Sequence, residues 1–539
     1  MDTKVEAKDK LQQVITNQWM SDKDKKQFIS PVFRQIASAV AVGSIGCVFG
    51  IVIAFSSVAL GNWKIERDVS LNEDQINWFA IVIQLVSIPG SVVGGGLVQH
   101  LGARRLLILI LPPLALTWPI LLLSRSSPAA MIILRAIQGL LTAGGSICVY
   151  VYPCEVSEPK RRGLLGAVPE AAFSLGFFLT YIFGGVFHWT TVVLIIPCIS
   201  VPCMIFLLLV PESPTKLIKQ GKIEEAKRTL ESLRPHGYNV EMEVREMQNI
   251  YSLTNSCEET HCQSVQGLSK PNALLPVAVS TTLLVLKECT GQLVLALFVV
   301  QIFQNANAEI SPLHGSVIVG SVRFLSNVIG AFLLGCLPRK KIIIIASLVA
   351  GLSVALLGSH FYEHENENKV TWAPLLYFAV FTLAFGIGIG PTSYLMATEL
   401  LPSSVRGTGS GIAGAAAFAA QFFITLFAAK TSISNLFISF WAYGVGCLTL
   451  ATFVLLLPET QELTLQEVEA YWSKAANNLY FTKSNNSIKE QNNNDETADS
   501  NVKDDSKFSH LPRSQDDRVY GKVITMVDLG KKKEIVDIV

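Results

Sequence analysis

Residues 171–211 read AAFSLGFFLTYIFGGVFHWTTVVLIIPCISVPCMIFLLLVP and contain no charged side chain. A helix that crosses the hydrocarbon core of a bilayer needs about 20 predominantly apolar residues. This run is too long for one crossing and long enough for two, and His188-Trp189 is its natural break. Three further stretches, 35–63, 370–398 and 431–458, are equally free of charge. The whole 539-residue chain shares this character: 50% of it is apolar and 16% charged, against about 25% charged in an ordinary soluble protein. Mean hydropathy is +0.42. The 43 basic and 42 acidic residues nearly cancel, which excludes a disordered chain, a collagen-like fibre and a basic nucleic-acid binder. The chain reads as an all-α membrane protein that crosses the bilayer many times.

Dividing the apolar runs at their charges and turn residues gives twelve spans, at 35–60, 77–100, 105–124, 129–153, 165–187, 190–210, 273–303, 313–337, 341–361, 372–398, 408–429 and 435–457. Some rest on division alone, which leaves ten or eleven as alternative counts. One set of loops holds seventeen lysines and arginines and the alternate set five. The excess places the first set, and with it both termini, in the cytoplasm. Residues 1–34 are polar with no signal-peptide core, so the first span is expected to do the targeting. Eight of the ten cysteines fall in or at the ends of spans. Cys257 and Cys262 fall with His261 in a loop on the reducing side, where two thiols and one imidazole lack a fourth metal ligand. No metal site and no cofactor are expected. The sequon Asn485-Asn486-Ser487 lies in the cytoplasmic tail.

The chain also repeats itself. Glu155 precedes Arg162-Gly163 by the same interval as Glu399 precedes Arg406-Gly407, and the two sets are 244 residues apart. Pro211-Glu212-Ser213 and Pro458-Glu459-Thr460 close the sixth and twelfth spans, 247 apart. The basic turns at Gly102-Ala103-Arg104-Arg105 and Pro338-Arg339-Lys340-Lys341 are 236 apart. Three paired signals at nearly one offset mean two six-helix halves in the same orientation. The expected division is a tail over 1–34, a first bundle over 35–210, a loop with short helices over 211–272, a second bundle over 273–457 and a largely disordered tail over 458–539. Two such halves are the design of an alternating-access transporter.

Tyr152 with Glu155 and Arg162-Gly163, Pro211-Glu212-Ser213-Pro214, Gly388 with Gly390-Pro391, Glu399 with Arg406-Gly407, and Pro458-Glu459-Thr460 with Thr464-Leu465 together resemble the signatures of the sugar porters. That family of the major facilitator superfamily includes facilitative glucose and insect trehalose transporters. The resemblance runs from about residue 40 to 470. It implies a plasma-membrane, multi-pass carrier of a small-molecule substrate and not an enzyme; no nucleophile–base set or phosphate loop appears.

The resemblance assigns a cytoplasmic gate to Arg104, Glu155, Arg162, Arg339, Glu399 and Arg406. Carboxylate–guanidinium sets of this kind tie the halves together in one state and part in the other. An exposed pair of the same residues would be worth only about 0–1 kcal/mol. The acidic residue that precedes each basic turn in the family is Gln99 and Gly335 here. In the loop, 222–234 contains no Pro or Gly, sets Glu224 four residues before Arg228, and reads as an amphipathic helix with Ile223, Leu230 and Leu233 on its apolar side.

The chain departs from the family in its cavity. Sugar porters hold hexoses with neutral amides, which both donate and accept, and their seventh span reads Gln-Gln-x-Ser-Gly-x-Asn. This chain reads Lys287-Glu288-Cys289-Thr290-Gly291-Gln292-Leu293. The polar position of the fifth span is Glu170, and the asparagine position of the eighth is Arg323. The tenth-span Pro-x-Pro-Trp reads Pro391-Thr392-Ser393-Tyr394, and the eleventh-span Asn-Trp pair reads Ala417-Phe418. Glu170, Lys287, Glu288, Arg323, Tyr394 and Phe418 are therefore the candidate substrate residues. Each charge at a span centre costs about 2.5–3.5 kcal/mol, so the four must face the cavity or each other. Lys287 and Glu288 point about 100° apart on a helix, which favours Glu170 pairing with Lys287 or Arg323. Two readings stay open: a salt-bridge network that locks the halves, or a site for a charged or zwitterionic solute. Arg135 matches a family arginine and is expected to be architectural.

Proton-driven members of the family share an aspartate in the first span, whereas 35–60 contains no acid, which favours passive facilitation with Glu170 as the one candidate proton carrier. Lys531-Lys532-Lys533 could touch anionic lipid and Asp537-Ile538-Val539 could enter a PDZ groove. Three classes follow: a facilitative carrier of a sugar (hexose or trehalose-like) or related polar solute, a carrier of a charged or zwitterionic solute, and a non-transporting sensor.

Overall fold

A computed structural model of the chain describes residues 31–59, 63, 71–235, 238–255, 271–297, 312–363, 372–402, 405–430, 436–461, 467–468 and 471–472. The terminal tail motifs, the sequon and the Cys257–Cys262 loop lie outside these residues. Twelve helices among the described residues are long and apolar enough to cross a membrane. The first six spans are α1 (Pro31–Ala59), α2 (Glu73–Leu101), α3 (Ala103–Leu123), α4 (Pro128–Val156), α5 (Pro159–Val186) and α6 (Trp189–Leu209). Three short helices follow, α7 (Pro214–Lys219), α8 (Ile223–Leu233) and α9 (Val240–Asn255). The seventh span is α10 (Pro271–Glu288) and α11 (Gln292–Leu297); then come α12 (Pro312–Cys336) and α13 (Arg339–Glu363). The tenth is α14 (Ala373–Ala384), a π-helical turn (Phe385–Ile389) and α15 (Gly390–Leu400), followed by α16 (Arg406–Lys430) and α17 (Leu436–Leu456). The bundle end that carries Arg104, Arg162, Arg339 and Arg406 is called the basic end below.

The helices stop where local chemistry stops them. The uncharged 171–211 run divides at Phe187-His188, with the His188 ring accepting from the Thr190 backbone N–H to cap α6. Gly102, at φ +84°, makes the one-residue corner between α2 and α3. The seventh span is not one helix over 273–303: it breaks at Cys289-Thr290-Gly291, and Gly291 has φ +77° with the Tyr443 ring where a side chain would stand.

Within each half the spans pack in corresponding fashion, α2 on α4 and α3 on α6 in the first, α12 on the α14–α15 span and α13 on α17 in the second. The halves meet along two seams, α2 against α16 and α5 against α12. Side chains 244 residues apart touch their own counterparts across the junction: the rings of Tyr150 and Tyr394 stack at 4.4 Å, and Cys154 Sγ lies 3.2 Å from Thr398 Oγ1. A pseudo-twofold axis passes between them. Arg135 is architectural, as expected. It donates from Nη1 to Gln138 Oε1 (2.8 Å) and from Nη2 to Ser56 Oγ (2.5 Å), and lies over the Phe55 and Phe79 rings.

Under the first half, α8 forms where expected but turns a different face inward. Ala226, Leu230 and Leu233 are buried while Ile223 is exposed. The cause is the partner surface: α7 packs against α8 and seats Leu217 and Ile218 on the small Ala226. Glu224 and Arg228 give way to Lys222–Glu225 (3.2 Å) and Lys227–Glu241 (2.7 Å) as the ion pairs of this helix. Arg234 ties the group to the bundle by donating to the last carbonyls of α4, at Val156 O (2.9 Å), while Glu243 of α9 accepts from its Nε and Nη2.

Candidate functional site

All six candidate substrate residues line one cavity between the halves: Glu170, Lys287, Glu288, Arg323, Tyr394 and Phe418. Its water-accessible volume is about 60 Å³, well above the roughly 10–15 Å³ that a cavity needs to hold a water. The four ions are all buried, none more than 7% exposed. Lys287 Nζ donates to Glu288 Oε1 at 2.7 Å, which corrects the expectation that neighbours on a helix would not pair. Glu288 is the last residue of α10, and long side chains at a helix end meet more cheaply than two isolated charges stay buried. The second expectation holds: Arg323 Nη2 lies 3.9 Å from Glu170 Oε1, across the α5–α12 seam.

The pairs are joined by aromatic rings. Tyr150 donates its hydroxyl to Glu170 Oε2 at 2.7 Å and stacks on Tyr394. Lys287 Nζ lies 4.7 Å from the centre of the Tyr394 ring, and the Arg323 guanidinium 4.4 Å from that of Phe177. A continuous polar and aromatic chain thus crosses the cavity from α12 through α5 and α4 to α15 and α10. Sequence reasoning missed Tyr150, Thr142, Gln292 and Gln421, which also line the cavity. Tyr150 had a signal: it stands one repeat length before Tyr394.

A polar cavity between two repeated halves is a transporter's arrangement, and residues 39–472 match the family described as Sugar (and other) transporter. The chain belongs to that family. It is 29% identical over 447 residues to the facilitated trehalose transporter Tret1 of Culex quinquefasciatus, covering 81% of this chain and 85% of that one. With Tret1 of Bombyx mori the identity is 29% over 440 residues, covering 80% and 85%. It spans 56% of the length of Tret1 of Anopheles gambiae, at 28% identity. Among solved structures, the proton:xylose symporter XylE bound to 6-bromo-6-deoxy-D-glucose has the same fold, with TM-score 0.72 at 21% identity over 83% of this chain and 100% of that one.

At the basic end of the transporter Arg162, Arg339, Glu399 and Arg406 are buried and Arg104 and Glu155 half-buried, and the expected gate residues pair mainly within their own halves. Glu399 accepts from Arg339 Nη1, which also reaches Thr460 Oγ1 (2.9 Å), and the backbone N–H groups of Arg339 and Lys340 donate to Glu459 at 3.2 and 3.1 Å. Arg406 does not take Glu399; it donates to the carbonyls of Thr398 and Leu401 at the end of α15, where a cation meets the negative end of the helix. Arg104 likewise holds Leu208 O (2.9 Å) at the end of α6. Glu155 accepts from Ser213 Oγ, and Arg162 is buried in the first turn of α5.

What joins the halves here is close backbone packing at the two repeated glycines. A side chain at Gly163 would strike the carbonyl of Leu334, and Gly407 donates its backbone N–H to Gln99 Oε1 at 3.2 Å. Gln99 and Gly335, the two positions that lack the family's acid, are thus seam positions. Glu212, outside the spans, lies against the Gly102 corner with Arg105 at 3.4 Å. Burial pushes its carboxyl pKa above the ordinary value, with Arg105 opposing the shift. Toward the opposite end, α11 lies on the first half, with Tyr181 donating to Ala296 O at 2.8 Å and Ser57 at 3.4 Å. Among the described residues no group of three or more His, Cys, Asp and Glu could hold a metal.

Proposed function

We propose that this chain is a facilitative, alternating-access carrier of an uncharged sugar of hexose or trehalose type, in the plasma membrane with both termini cytoplasmic. The observation that carries the reading is the charge balance of the cavity. Two carboxylates face one ammonium and one guanidinium in two pairs, so no net charge waits there for a charged substrate. Hydroxyls suit such a lining, since carboxylates accept from them and cations donate to them. The names of the trehalose-transporting relatives support the same class. The cavity-lining residues of α1 are Gly46, Phe49 and Ile53, none of them acidic, which supports passive transport.

In this reading the first bundle occupies 35–210, the loop 211–272 and the second bundle 273–457, between tails at 1–34 and 458–539. The contacts around Arg104, Glu155, Arg162, Arg339, Glu399 and Arg406 form the cytoplasmic gate, and the C-terminal tail is the candidate for lipid or PDZ contact. Initial-rate uptake of labelled glucose and trehalose, beside small acids and amino acids, tests the proposal in a transporter-poor cell at two external pH values. Saturable sugar flux without pH dependence is the expected result. Flux of a charged solute alone would overturn it, as would a surface-expressed protein that moves nothing.

A further inference from the structure

Arg323 is the least satisfied ion of the cavity. Its Nε and Nη1 have no hydrogen-bond partner although the residue is only 5% exposed, and Nη2 stands 3.9 Å from Glu170 Oε1, beyond a hydrogen bond. No edge of the guanidinium fork is filled. Buried donors in native proteins are almost always bonded, so an orphan of this kind calls for a missing partner. Two further polar groups that line the same cavity are also without partners, Gln292 Oε1 and Thr142 Oγ1. Among the described residues the seam related by the repeat brings no charged side chain to the cavity. The counterpart of Glu170, 244 residues on, is Gly414, packed against the Ser91 hydroxyl. The arginine is therefore a specialisation of one seam and not part of the duplicated scaffold.

A planar fork takes two oxygens side by side. A carboxylate offers them, but it would meet Glu170 in the same contact shell and leave a balanced, buried site with one uncompensated charge. Two neighbouring hydroxyls of a sugar ring offer the same pair of oxygens without charge, and their protons are available to Gln292 Oε1, Thr142 Oγ1 or Glu170. Resting on the sugar-carrier reading above, we propose that Arg323 is the specificity-determining donor of the cavity, and that one edge of its fork takes a vicinal diol of an uncharged sugar.

Purified full-length protein in liposomes tests this by competition against labelled glucose or trehalose, whichever the parent carries. The competitors are D-glucose, its 2-, 3- and 4-deoxy analogues and D-glucuronate, on the parent and on Arg323→Lys, which keeps the charge and loses the fork. The parent is expected to lose about ten-fold in apparent affinity for the analogue that lacks one oxygen of the diol. Arg323→Lys is expected to lose about as much for glucose itself and nothing further for that analogue, the signature of a shared contact. Equal discrimination by both proteins would overturn the proposal, and so would glucuronate competing better than glucose. Should Arg323→Lys not fold, the parent decides alone: indifference to every deoxy position refutes the diol contact. Sugar flux that ignores Arg323 sinks this inference only, whereas a parent that carries neither sugar sinks the carrier reading and this with it.

Discussion

Lys287 and Glu288 neutralise each other at the end of α10, so either alone would be an unpaired buried charge. Replacing Lys287 or Glu288 singly by Gln is expected to destabilise the protein by about 3–5 kcal/mol, while replacing both restores the family's Gln-Gln and recovers most of the loss. Thermal unfolding of the purified variants checks this, and a double variant no better than the singles would show that the pair is not the unit. Glu212 gives a prediction of opposite sense. A carboxyl whose folded pKa is raised stabilises the fold most at low pH, and that contribution is lost as pH rises through the folded pKa. Glu212→Gln is therefore expected to unfold at a higher temperature than the parent at pH 7, with the difference vanishing toward pH 4.5. A lower midpoint at pH 7 would show that Arg105 outweighs burial. At this scale the sequence told which residues face the cavity, because charges have nowhere else to go in a span. It did not tell which partners they choose. Glu288 meets Lys287 because the helix ends there, and Glu399 meets Arg339 because Arg406 is taken up by carbonyls; both depend on where helices stop.

Two glycines in a single seam should behave differently. A Cβ at Gly163 would strike the Leu334 backbone, which cannot swing away, whereas at Gly335 the nearest atom is Leu164 Cβ at an ordinary 3.8 Å. Gly163→Ala is expected to wedge α5 from α12 at the basic end, at about 1–3 kcal/mol, and Gly335→Ala to be silent. The native thiol of Cys154, 1% exposed beside Thr398, reports the outcome: thiol labelling should speed up in the first variant alone. Unchanged labelling in Gly163→Ala would mean the seam has slack. The spans themselves were legible because each must satisfy its backbone in lipid, and apolar length follows. The π-helical turn at Phe385–Ile389 was not, since Gly386 and the motif glycines Gly388 and Gly390 carry no signal of helix pitch. Its reason lies in the neighbours: a Cβ at Gly330 of α12 would come within 2.8 Å of the Gly386 carbonyl, so the tenth span adapts to a helix against which it is pressed.

For the molecule as a whole, the described residues bring the halves together on both sides of the cavity, through Gly163, Gly407 and Cys154 on one and through Tyr181 and Ala296 on the other. Closing it empty seals Arg323 Nε and Nη1, Gln292 Oε1 and Thr142 Oγ1 without partners, at about 1–3 kcal/mol for each buried orphan. The Glu170–Arg323 and Tyr150–Tyr394 contacts offset part of that, but they fill none of the four. A sugar that brings oxygens and hydroxyl protons to these groups stabilises the closed form specifically, and a solute can shift alternation only through such a difference between states. The loaded carrier should therefore reorient faster than the empty one. Relief of about 1.4 kcal/mol in the closed form amounts to roughly ten-fold in rate. Equilibrium exchange of labelled sugar is accordingly expected to run several-fold faster than net uptake into sugar-free vesicles, and Arg323→Lys should narrow the ratio by weakening the contact that separates the two forms. Equal rates in the parent would mean that the side chains bridging the cavity already serve in place of the solute, so that the empty carrier turns as freely as the full one.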